Sequence, residues 1–299
     1  MGPERERRPV ALDFAGFTMF SVYRMEARPL PSPIQLHLAD AVAAPADTPI
    51  AVRSRRERTP ASRPVVRPIH GWYLPCKQAV DFVAALVLGT VALPLIAASA
   101  LIVKLTSRGP AFYTQVRVGR AGRPFTIYKI RSMIHNCESL TGPRWSMPGD
   151  PRVTWIGWFL RATHLDELPQ LLNVLRGDMS LIGPRPERPE FFPELERELP
   201  SYAQRVTVRP GVTGLAQVQL PPDTDLGSVR RKLAHDLYYV QHVSPLLDLR
   251  LLICTACYAA GVPFSLLSRL LGVPRSGVVE RAMQNVLTEP APARLRIGA

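Results

Sequence analysis

Cysteine and histidine are scarce in this sequence. Its 299 residues include four cysteines and six histidines, and no second cysteine pair or histidine lies at zinc-ligand spacing from Cys254 and Cys257. This pattern argues against a zinc site. Because Cys254 and Cys257 lie in an apolar run, we interpret them as packing residues.

Acidic residues are also few compared with basic ones. The sequence contains 24 Asp and Glu but 37 Lys and Arg, so its formal charge is +13 and its pI is near 10.2. This excess indicates an anionic partner: nucleic acid, the acidic face of a membrane, or phosphorylated small molecules. The hydrophobic fraction of 46% excludes a fully disordered chain.

A signal peptide and an internal repeat are missing as well. The first nine residues are charged, and the short apolar patch near Phe14 lacks a small-residue cleavage site. Prolines and the arginine cluster Arg53–Arg58 dominate residues 1–72, which we predict to be a disordered arm. That cluster has no interleaved aromatic residues, so it does not favour stacking on nucleic-acid bases.

The stretch Ala79–Val103 is apolar and long enough to cross a bilayer as a helix. Pro94 lies in its middle and predicts a kink. Basic residues flank both ends of this stretch, whereas a helix that crosses the membrane once is expected to have an excess of basic residues at one end only. We therefore predict a re-entrant, proline-broken membrane helix over residues 73–108, with a kinked single-pass anchor as the alternative.

The rest of the chain predicts a small cytoplasmic domain of helices with a short sheet or hairpin. Alternating residues around Gly119 and Gly122 predict strands or a hairpin over 110–133. A second apolar stretch, Leu251–Leu267, favours an interfacial or core helix. The fold class is therefore α/β and membrane-associated (monotopic), with a catalytic domain over 109–265 and a C-terminal helix and tail over 266–299.

A further helix is predicted around the adjacent carboxylates Asp166 and Glu167. Leucines recur at intervals of three and four on one face, while Asp166, Gln170 and Asn173 form a polar stripe on another. Asp166 is the predicted N-cap and Gly177 the predicted stop. A helix N-terminus keeps a carboxylate ionised and attracts phosphate, so Asp166 is a candidate nucleophile or metal ligand; plain capping is the simpler alternative.

Other charged residues surround this pair in the sequence. Arg185 lies between Pro184 and Pro186, which presents its guanidinium rigidly for phosphate binding. A carboxylate nucleophile, a divalent cation and basic residues are what phosphoryl transfer requires, and oxygen ligands favour Mg²⁺, for which Asp166 is a candidate ligand. The further candidates for substrate binding are Lys129, Arg131, Arg161, Asp178 and Arg209.

Four segments together resemble the bacterial sugar transferase family of monotopic polyprenyl-phosphate phosphoglycosyltransferases. They are "GPAFYTQVRVGRAGRPFTIYKIRSM", "LRATHLDELPQLLNVLRGDMSLIGPRPE", "VRPGVTGLAQ" and "DLYYVQHVSPLLDLRLL". The resemblance covers about residues 75–260. It implies transfer of a sugar 1-phosphate from a UDP-sugar to undecaprenyl phosphate with release of UMP, at the cytoplasmic face of the bacterial inner membrane, at the start of exopolysaccharide, O-antigen or other glycoconjugate synthesis.

The resemblance also implies roles for individual residues. Asp166 would attack the β-phosphate and form a covalent phosphosugar intermediate, and Glu167 would assist through magnesium or proton handling. Pro94 would break the membrane helix. The remaining matches are phosphate-contacting or nucleotide-contacting basic residues and acidic residues lining the site: Arg161, Lys129, Arg185, Arg209, Asp178 and Asp236.

Two departures from the family pattern stand out. His164 replaces a usual serine, and "VQLPPDTDL" replaces a glycine-containing continuation after "GLAQ". The four-helix membrane domain of long family members is also not expected here.

Anionic lipids are expected contacts and other glycan-assembly enzymes are candidate partners, whereas nucleic acid is not expected. The rival hypothesis is a membrane-tethered basic protein that binds nucleic acid or anionic lipid.

Overall fold

The computed structural model describes residues 66, 68–69, 71–139, 142–147, 149–199 and 201–288. The arm predicted over residues 1–72 lies outside these residues except at its end. The predicted tail after residue 288 also lies outside them.

One long apolar helix, α1 (Tyr73–Thr106), opens the described part of the chain, as the sequence predicts. Among the described residues it is the one helix long and apolar enough to cross a membrane. Its 34 residues give it a length of about 50 Å. The α-helix continues through Pro94, so the predicted bend involves no break in secondary structure. Pro94 lacks the N–H that would donate one backbone hydrogen bond of the helix.

A narrow stripe of α1 is buried, and most of its apolar surface is not. Twelve large apolar side chains of α1 are exposed, including Phe82, Val91 and Leu105. Exposing them to water would cost on the order of 10 kcal/mol or more. The buried stripe repeats every four or seven residues: Tyr73, Lys77, Asp81, Ala85, Ala92, Ser99 and Val103.

The N-terminal half of α1 is held by a buried polar network, here called the latch. The Tyr73 hydroxyl and the Lys77 ammonium both donate to Asp248 Oδ2, at 2.9 and 2.7 Å. The Tyr239 hydroxyl donates to Asp248 Oδ1 at 2.7 Å. Asp81 accepts from the Ser180 hydroxyl at 2.5 Å. Because such groups are costly to bury unpaired, their pairing ties this half of the helix to the domain that follows.

The C-terminal end of α1 is held by the same domain. Val103 shares a buried cluster with Ile130, Ile156 and Leu160. Arg131 donates to the Ser107 carbonyl, at 3.0 Å, and to the carbonyl of the next residue, at 2.5 Å. Both ends of α1 therefore contact one folded body.

A hairpin follows α1, as predicted. Strands β1 (Phe112–Val118) and β2 (Pro124–Ile130) pair antiparallel, with Phe112 opposite Ile130 and Val118 opposite Pro124. The turn between them is a short 3-10 segment, Arg120–Gly122.

A second, parallel pair of strands has no clear signal in the sequence. Strand β3 (Ser180–Ile182) pairs with β4 (Gly211–Thr213), and each is only three residues long. Gly183 and Gly211 allow a close approach, since a Cβ on Gly211 would lie 2.1 Å from the Gly183 nitrogen.

Helices make up the remainder. Those that position the site are α2 (Trp155–Ala162), a 3-10 helix (Leu165–Gln170) and α3 (Leu171–Leu175). The others form the core: α4 (Phe192–Glu198), α5 (Leu215–Gln219), α6 (Leu226–His242), α7 (Pro245–Ala259), α8 (Phe264–Leu271) and α9 (Ser276–Thr288). The second apolar stretch forms most of α7 and α8; Leu251 and Cys254 are buried, whereas Ile253 and Leu266 are exposed.

Candidate active site

The adjacent carboxylates lie in the first turn of the 3-10 helix. The prediction that they occupy a helix N-terminus is confirmed, but the predicted N-cap is wrong. His164 is the N-cap, and Asp166 is already inside the helix with no capping hydrogen bond. Pro169 explains the difference, because without an N–H it cannot donate an α-helical bond to Leu165, and this turn is 3-10. The helical stretch ends before Gly177, as predicted, and Gly177 has a φ of +79°.

His164 has a left-handed backbone, with φ 56° and ψ 16°. Its N–H donates to the Arg161 carbonyl at 3.2 Å, and its carbonyl accepts from the Glu167 N–H at 3.1 Å. The side chain itself is exposed. Residue 164 therefore forms a tight turn between α2 and the carboxylate pair. The His164 imidazole makes no hydrogen bond to either carboxylate.

Both faces of this segment contact the domain: Gln170 and Asn173 of the polar stripe are buried, and Leu165, Leu168 and Leu175 pack against apolar clusters. Gln170 is 2% exposed and Asn173 is fully buried, whereas Leu172 is 42% exposed. Asn173 explains the burial of the polar stripe, since it donates to the Thr126 carbonyl and accepts from the Tyr128 N–H on the outer edge of β2. The amide nitrogen of Gln170, one turn after Asp166, has no hydrogen-bond partner among the described residues.

Glu167 is fully engaged by two cations. Lys129 of β2 donates to Oε1 at 2.7 Å, and Arg185 donates to both oxygens, at 3.2 Å to Oε2 and more closely to Oε1. Burial alone would raise the pKa of Glu167, but Arg185 and Lys129 outweigh it and hold the pKa well below its usual range. Glu167 is therefore a permanent anion that neutralises the site's own cations.

Asp166 differs from Glu167 in its contacts and in the direction of its pKa shift. Its side chain is 5% exposed, and no side chain in the described part of the chain hydrogen-bonds its carboxylate. Burial raises its pKa to about 6, and the negative charge of Glu167 adds to the effect. Lys129, Arg161 and Arg185 attract its charged form without fully offsetting that cost. The pair thus consists of one carboxylate neutralised by two cations and one buried carboxylate with a raised pKa.

Arg161 completes the cationic side of the site. Its Nε donates to the Ser132 hydroxyl and its Nη1 to the Ser146 hydroxyl, both at 2.9 Å. These neutral partners leave its charge uncompensated, and that charge favours the ionised form of Asp166. It is suited to holding an anionic group beside the carboxylate.

Arg185 is positioned by residues with no distinct signal in the sequence. Its backbone carbonyl accepts from Arg205 Nη2 at 2.8 Å, and Arg205 is held by Asp236 at 2.6 and 3.0 Å. Tyr202 accepts from the same guanidinium at 2.7 Å. Asp236, a predicted site residue, is therefore buried behind Arg185 and acts through Arg205.

A small cleft lies beside the Arg185 loop, between the hairpin turn and Arg205. One wall carries Glu187, which is buried with Arg117 at 3.8 Å and Lys232 at 3.7 Å. Burial would raise the pKa of Glu187, but Lys232 and Arg117 lower it below its usual value. The cleft opens next to Arg185, the cation that binds Glu167.

Besides Arg161 and Asp236, three predicted binding residues make no hydrogen bond or ion pair with this pair in the described part of the chain. Arg131 turns to the C-terminal end of α1, because β2 ends at Ile130 and the alternation that placed it beside Lys129 stops there. Asp178 is half-buried at the turn after α3. Arg209 lines a separate cleft of about 360 Å³ with Lys77 and the N-terminal half of α1.

A magnesium ion is compatible with these residues, but only in one arrangement. Among the described residues, no cluster of three potential metal ligands exists. Glu167 has both oxygens occupied by cations, so Asp166 is the carboxylate with coordination capacity. Mg²⁺ often binds through one or two carboxylates together with substrate phosphates and water.

The comparison with known protein families decides the assignment. Residues 72–260 match the model of a family described as bacterial sugar transferase. This chain belongs to that family. The matched range contains α1, the hairpin, the carboxylate pair and the Arg185 loop.

Relatives in several bacteria share this range. The UDP-N-acetylgalactosamine-undecaprenyl-phosphate N-acetylgalactosaminephosphotransferase of Aeromonas hydrophila is 45% identical over 58% of this chain and 40% of its own length. The UDP-glucose:undecaprenyl-phosphate glucose-1-phosphate transferase of Caulobacter vibrioides is 45% identical over 60% of this chain and 67% of its own length. The Escherichia coli protein of the same name is 37% identical over 63% of this chain and 41% of its own length. The chain thus spans well under half of the Aeromonas and Escherichia coli relatives.

Proposed function

We propose that this sugar transferase family member transfers a sugar 1-phosphate from a UDP-sugar to undecaprenyl phosphate, with Asp166 as the nucleophile. The names of the relatives support this donor and acceptor chemistry. We place the reaction at the cytoplasmic face of the bacterial inner membrane, as the first step in assembling a polysaccharide or other glycoconjugate.

The observation that carries the proposal is the unequal state of the two carboxylates. Glu167 is bound by Lys129 and Arg185, whereas Asp166 is buried without a hydrogen bond and has a pKa near 6. A group with that pKa is largely ionised at neutral pH, yet it is poorly solvated and therefore nucleophilic. Plain capping, the simpler alternative, does not fit, because Asp166 caps nothing.

The reaction follows from this arrangement in two displacements. An oxygen of Asp166 attacks the β-phosphorus of the UDP-sugar, and the bond from that phosphorus to the bridging oxygen breaks, so UMP leaves with the bonding electrons. A phosphate oxygen of undecaprenyl phosphate then attacks the phosphorus of the aspartyl phosphosugar. The aspartyl bond breaks, the carboxylate is regenerated, and the sugar diphosphate lipid is released.

The surrounding cations stabilise charge during both steps. Arg161 has only hydroxyl partners and is free to bind a phosphate oxygen. Arg185 is fixed at its backbone, and one face of it borders the cleft beside its loop. Bound Mg²⁺, held by Asp166 and phosphate oxygens, would supply Lewis-acid charge neutralisation.

The attachment of α1 supports a monotopic arrangement. The latch and the Val103 cluster hold the two ends of α1 on one domain. Because one folded domain contacts both ends of α1, neither end can emerge on the side of a bilayer opposite to that domain. We therefore propose that α1 is embedded from one side, with its exposed apolar side chains in lipid.

The buried cations around the carboxylate pair do not support the rival binding function. Lys129, Arg185 and Arg205 are each paired with an internal carboxylate, so they form no free basic surface. The arginine cluster Arg53–Arg58 lies outside the described residues.

One experiment tests the chemistry. Purified protein in detergent is incubated with Mg²⁺ and a UDP-sugar, and its intact mass is measured before and after undecaprenyl phosphate is added. We expect a mass increase of one sugar phosphate, lost on adding acceptor, together with UMP release. Asp166→Asn should abolish both, while exposed Glu196→Gln serves as the matched control. UMP release at the normal rate by Asp166→Asn would refute the nucleophile.

A second experiment tests the topology. Single cysteines placed at residues 70 and 120 in a cysteine-free background are labelled from either side of inverted membrane vesicles. Both sites should react from the cytoplasmic side. Labelling from opposite sides would instead establish a single-pass anchor.

A further inference from the structure

Serine hydroxyls fix the direction of the Arg161 guanidinium. Its Nε donates to Ser132 and its Nη1 donates to Ser146, both at 2.9 Å, and neither partner carries a charge. A carboxylate would fix the guanidinium equally well, but it would also neutralise it. Hydroxyl partners fix its direction and leave its charge available to an anionic ligand.

The Ser146 hydroxyl is in turn oriented by Asp150. Ser146 lies in the segment between β2 and α2, and its hydroxyl donates to Asp150 Oδ2 at 3.3 Å. An ionised carboxylate can only accept hydrogen bonds, so the serine proton points to Asp150 and the serine lone pairs are left for Arg161. Without Asp150 the hydroxyl could rotate and turn its proton toward the guanidinium. Asp150 therefore sets the direction of the hydroxyl that Arg161 binds.

The negative charge of Asp150 is balanced by Arg152. Arg152 donates to it from Nε at 2.9 Å and from Nη2 at 2.6 Å, and the Arg152 backbone N–H donates to Oδ1 at 3.0 Å. These hydrogen bonds lower the pKa of Asp150 to about 2, so its carboxylate is ionised at neutral pH. Because Asp150 and Arg152 are neutral as a pair, Asp150 can orient Ser146 without cancelling the charge of Arg161.

The segment that carries Ser146 is also attached to the residues just before α4. Arg188 donates to both oxygens of Glu138, at 2.8 and 2.9 Å. Trp145 packs edge to face against Phe191, with ring centroids 5.6 Å apart. The position of Ser146 is therefore held by contacts outside its own segment.

We infer that Ser146 and Asp150 are positioning residues, which hold the Arg161 guanidinium in the direction needed to bind a substrate phosphate. The inference rests on the proposed function, in which Arg161 binds a phosphate oxygen beside the nucleophile Asp166. Neither serine nor aspartate has to contact the substrate, since both act through Arg161. Their contribution is large because electrostatic stabilisation depends on donors that are oriented before the charge develops.

Single-turnover rates in detergent with Mg²⁺ test this inference. The rate is that at which the protein gains the mass of a sugar phosphate from a UDP-sugar that the unmodified protein accepts. Ser146→Ala should lower this rate about tenfold, whereas Ser146→Thr, which keeps the hydroxyl, should stay within about twofold of the unmodified rate. Ser139→Ala is the matched control, because Ser139 is exposed in the same segment and its hydroxyl donates to the Asn136 carbonyl.

A double-mutant cycle separates positioning from a structural role. In an Arg161→Leu background, Ser146→Ala should change the rate by less than about twofold, because no guanidinium is left to position. The role of Ser146 would be overturned by an unchanged rate in Ser146→Ala, by an equal loss in Ser146→Thr, or by the same loss in the Arg161→Leu background.

A second cycle tests Asp150. Asp150→Asn should lower the rate about as much as Ser146→Ala does, and it should add no further loss when the two substitutions are combined. An unchanged rate in Asp150→Asn, or a further loss in the combined variant, would contradict the role of Asp150.

Failure of the proposed function gives a different result. If Asp166→Asn still gains the sugar phosphate, Asp166 is not the nucleophile, and the inference is wrong together with the proposed function. If the gain depends on Asp166 but not on Ser146 or Asp150, only the positioning role is wrong.

Discussion

Replacing the nucleophile should stabilise the protein. Asp166 is buried without a hydrogen bond, and its pKa rises from an ordinary 3.8 to about 6. A difference of about 2 pKa units, at 1.36 kcal/mol per unit, makes its ionised form cost about 3 kcal/mol of folding free energy. Asp166→Asn removes this charge at nearly constant shape. For a domain of this size the gain corresponds to roughly 5 to 10 °C in Tm.

The pH dependence of this gain has a definite sign. Because the folded-state pKa lies above the unfolded one, the carboxyl imposes no cost below about pH 4, where it is protonated in both states. The cost grows between about pH 4 and pH 6, where the unfolded carboxyl is ionised and the folded one is still largely protonated, and it is constant above that range. The Tm difference between Asp166→Asn and the unmodified protein should therefore be fully present at pH 8 and shrink toward pH 4.

Thermal unfolding in detergent, with chelator and without nucleotide, measures this difference. Bound cations or phosphates would change the charge balance of the site, so they are excluded. Glu196→Gln provides the control, because Glu196 is exposed and should show no comparable gap. Equal Tm values at pH 8 would refute the electrostatic reasoning. A gap of the same size at pH 4 would show that packing, and not charge, causes it.

Three further predictions concern residues around the site. Asp236→Asn leaves Arg205 buried without its counter-ion and loosens the Arg185 loop. The KM for the UDP-sugar should therefore rise about tenfold, equivalent to ~1.4 kcal/mol. An unchanged KM, measured below the Tm of the variant, would contradict this. His164→Gly should match or exceed the unmodified Tm, whereas His164→Val should lower stability by about 1 kcal/mol or more, because a β-branched residue resists the left-handed backbone. Equal Tm values for these two variants would argue against that strain. Asp248→Asn should weaken the latch and speed amide hydrogen exchange in the first turns of α1. The last turns of α1 are the internal reference. If exchange changes equally in the first and last turns, the latch does not hold the N-terminal half of α1.

The features that the sequence predicts well are those decided over a short range. The apolar run of α1 stands out by composition alone, and Gly119 and Gly122 mark the hairpin turn that joins β1 and β2. Gly177 ends the helical stretch because its backbone adopts positive φ. The carboxylate pair and the Arg185 loop are recognisable as motifs because their residues are close in the chain.

Features that depend on contacts between residues far apart in the chain were not predicted from the sequence. Periodicity favours burying the leucine face of the segment after Asp166, and Leu168 and Leu175 do pack against the core. It does not show that the polar stripe is buried too, because Asn173 finds its backbone partners on β2. Arg131 was predicted to bind substrate with Lys129, but it meets the end of α1 instead. Strands β3 and β4 are too short to show a pattern, and only their pairing makes them strands.

The amino-acid sequence by itself determined that this protein has one long apolar helix, a basic character and a motif with two adjacent carboxylates ahead of a rigid arginine. The resemblance to a family assigned different roles to Asp166 and Glu167, but composition, charge and spacing gave no physical reason for the difference. Only the tertiary structure made them different. It brought Lys129 and Arg185 from separate segments onto Glu167 and left Asp166 buried without a hydrogen bond, and burial without compensation is what raises a carboxyl pKa.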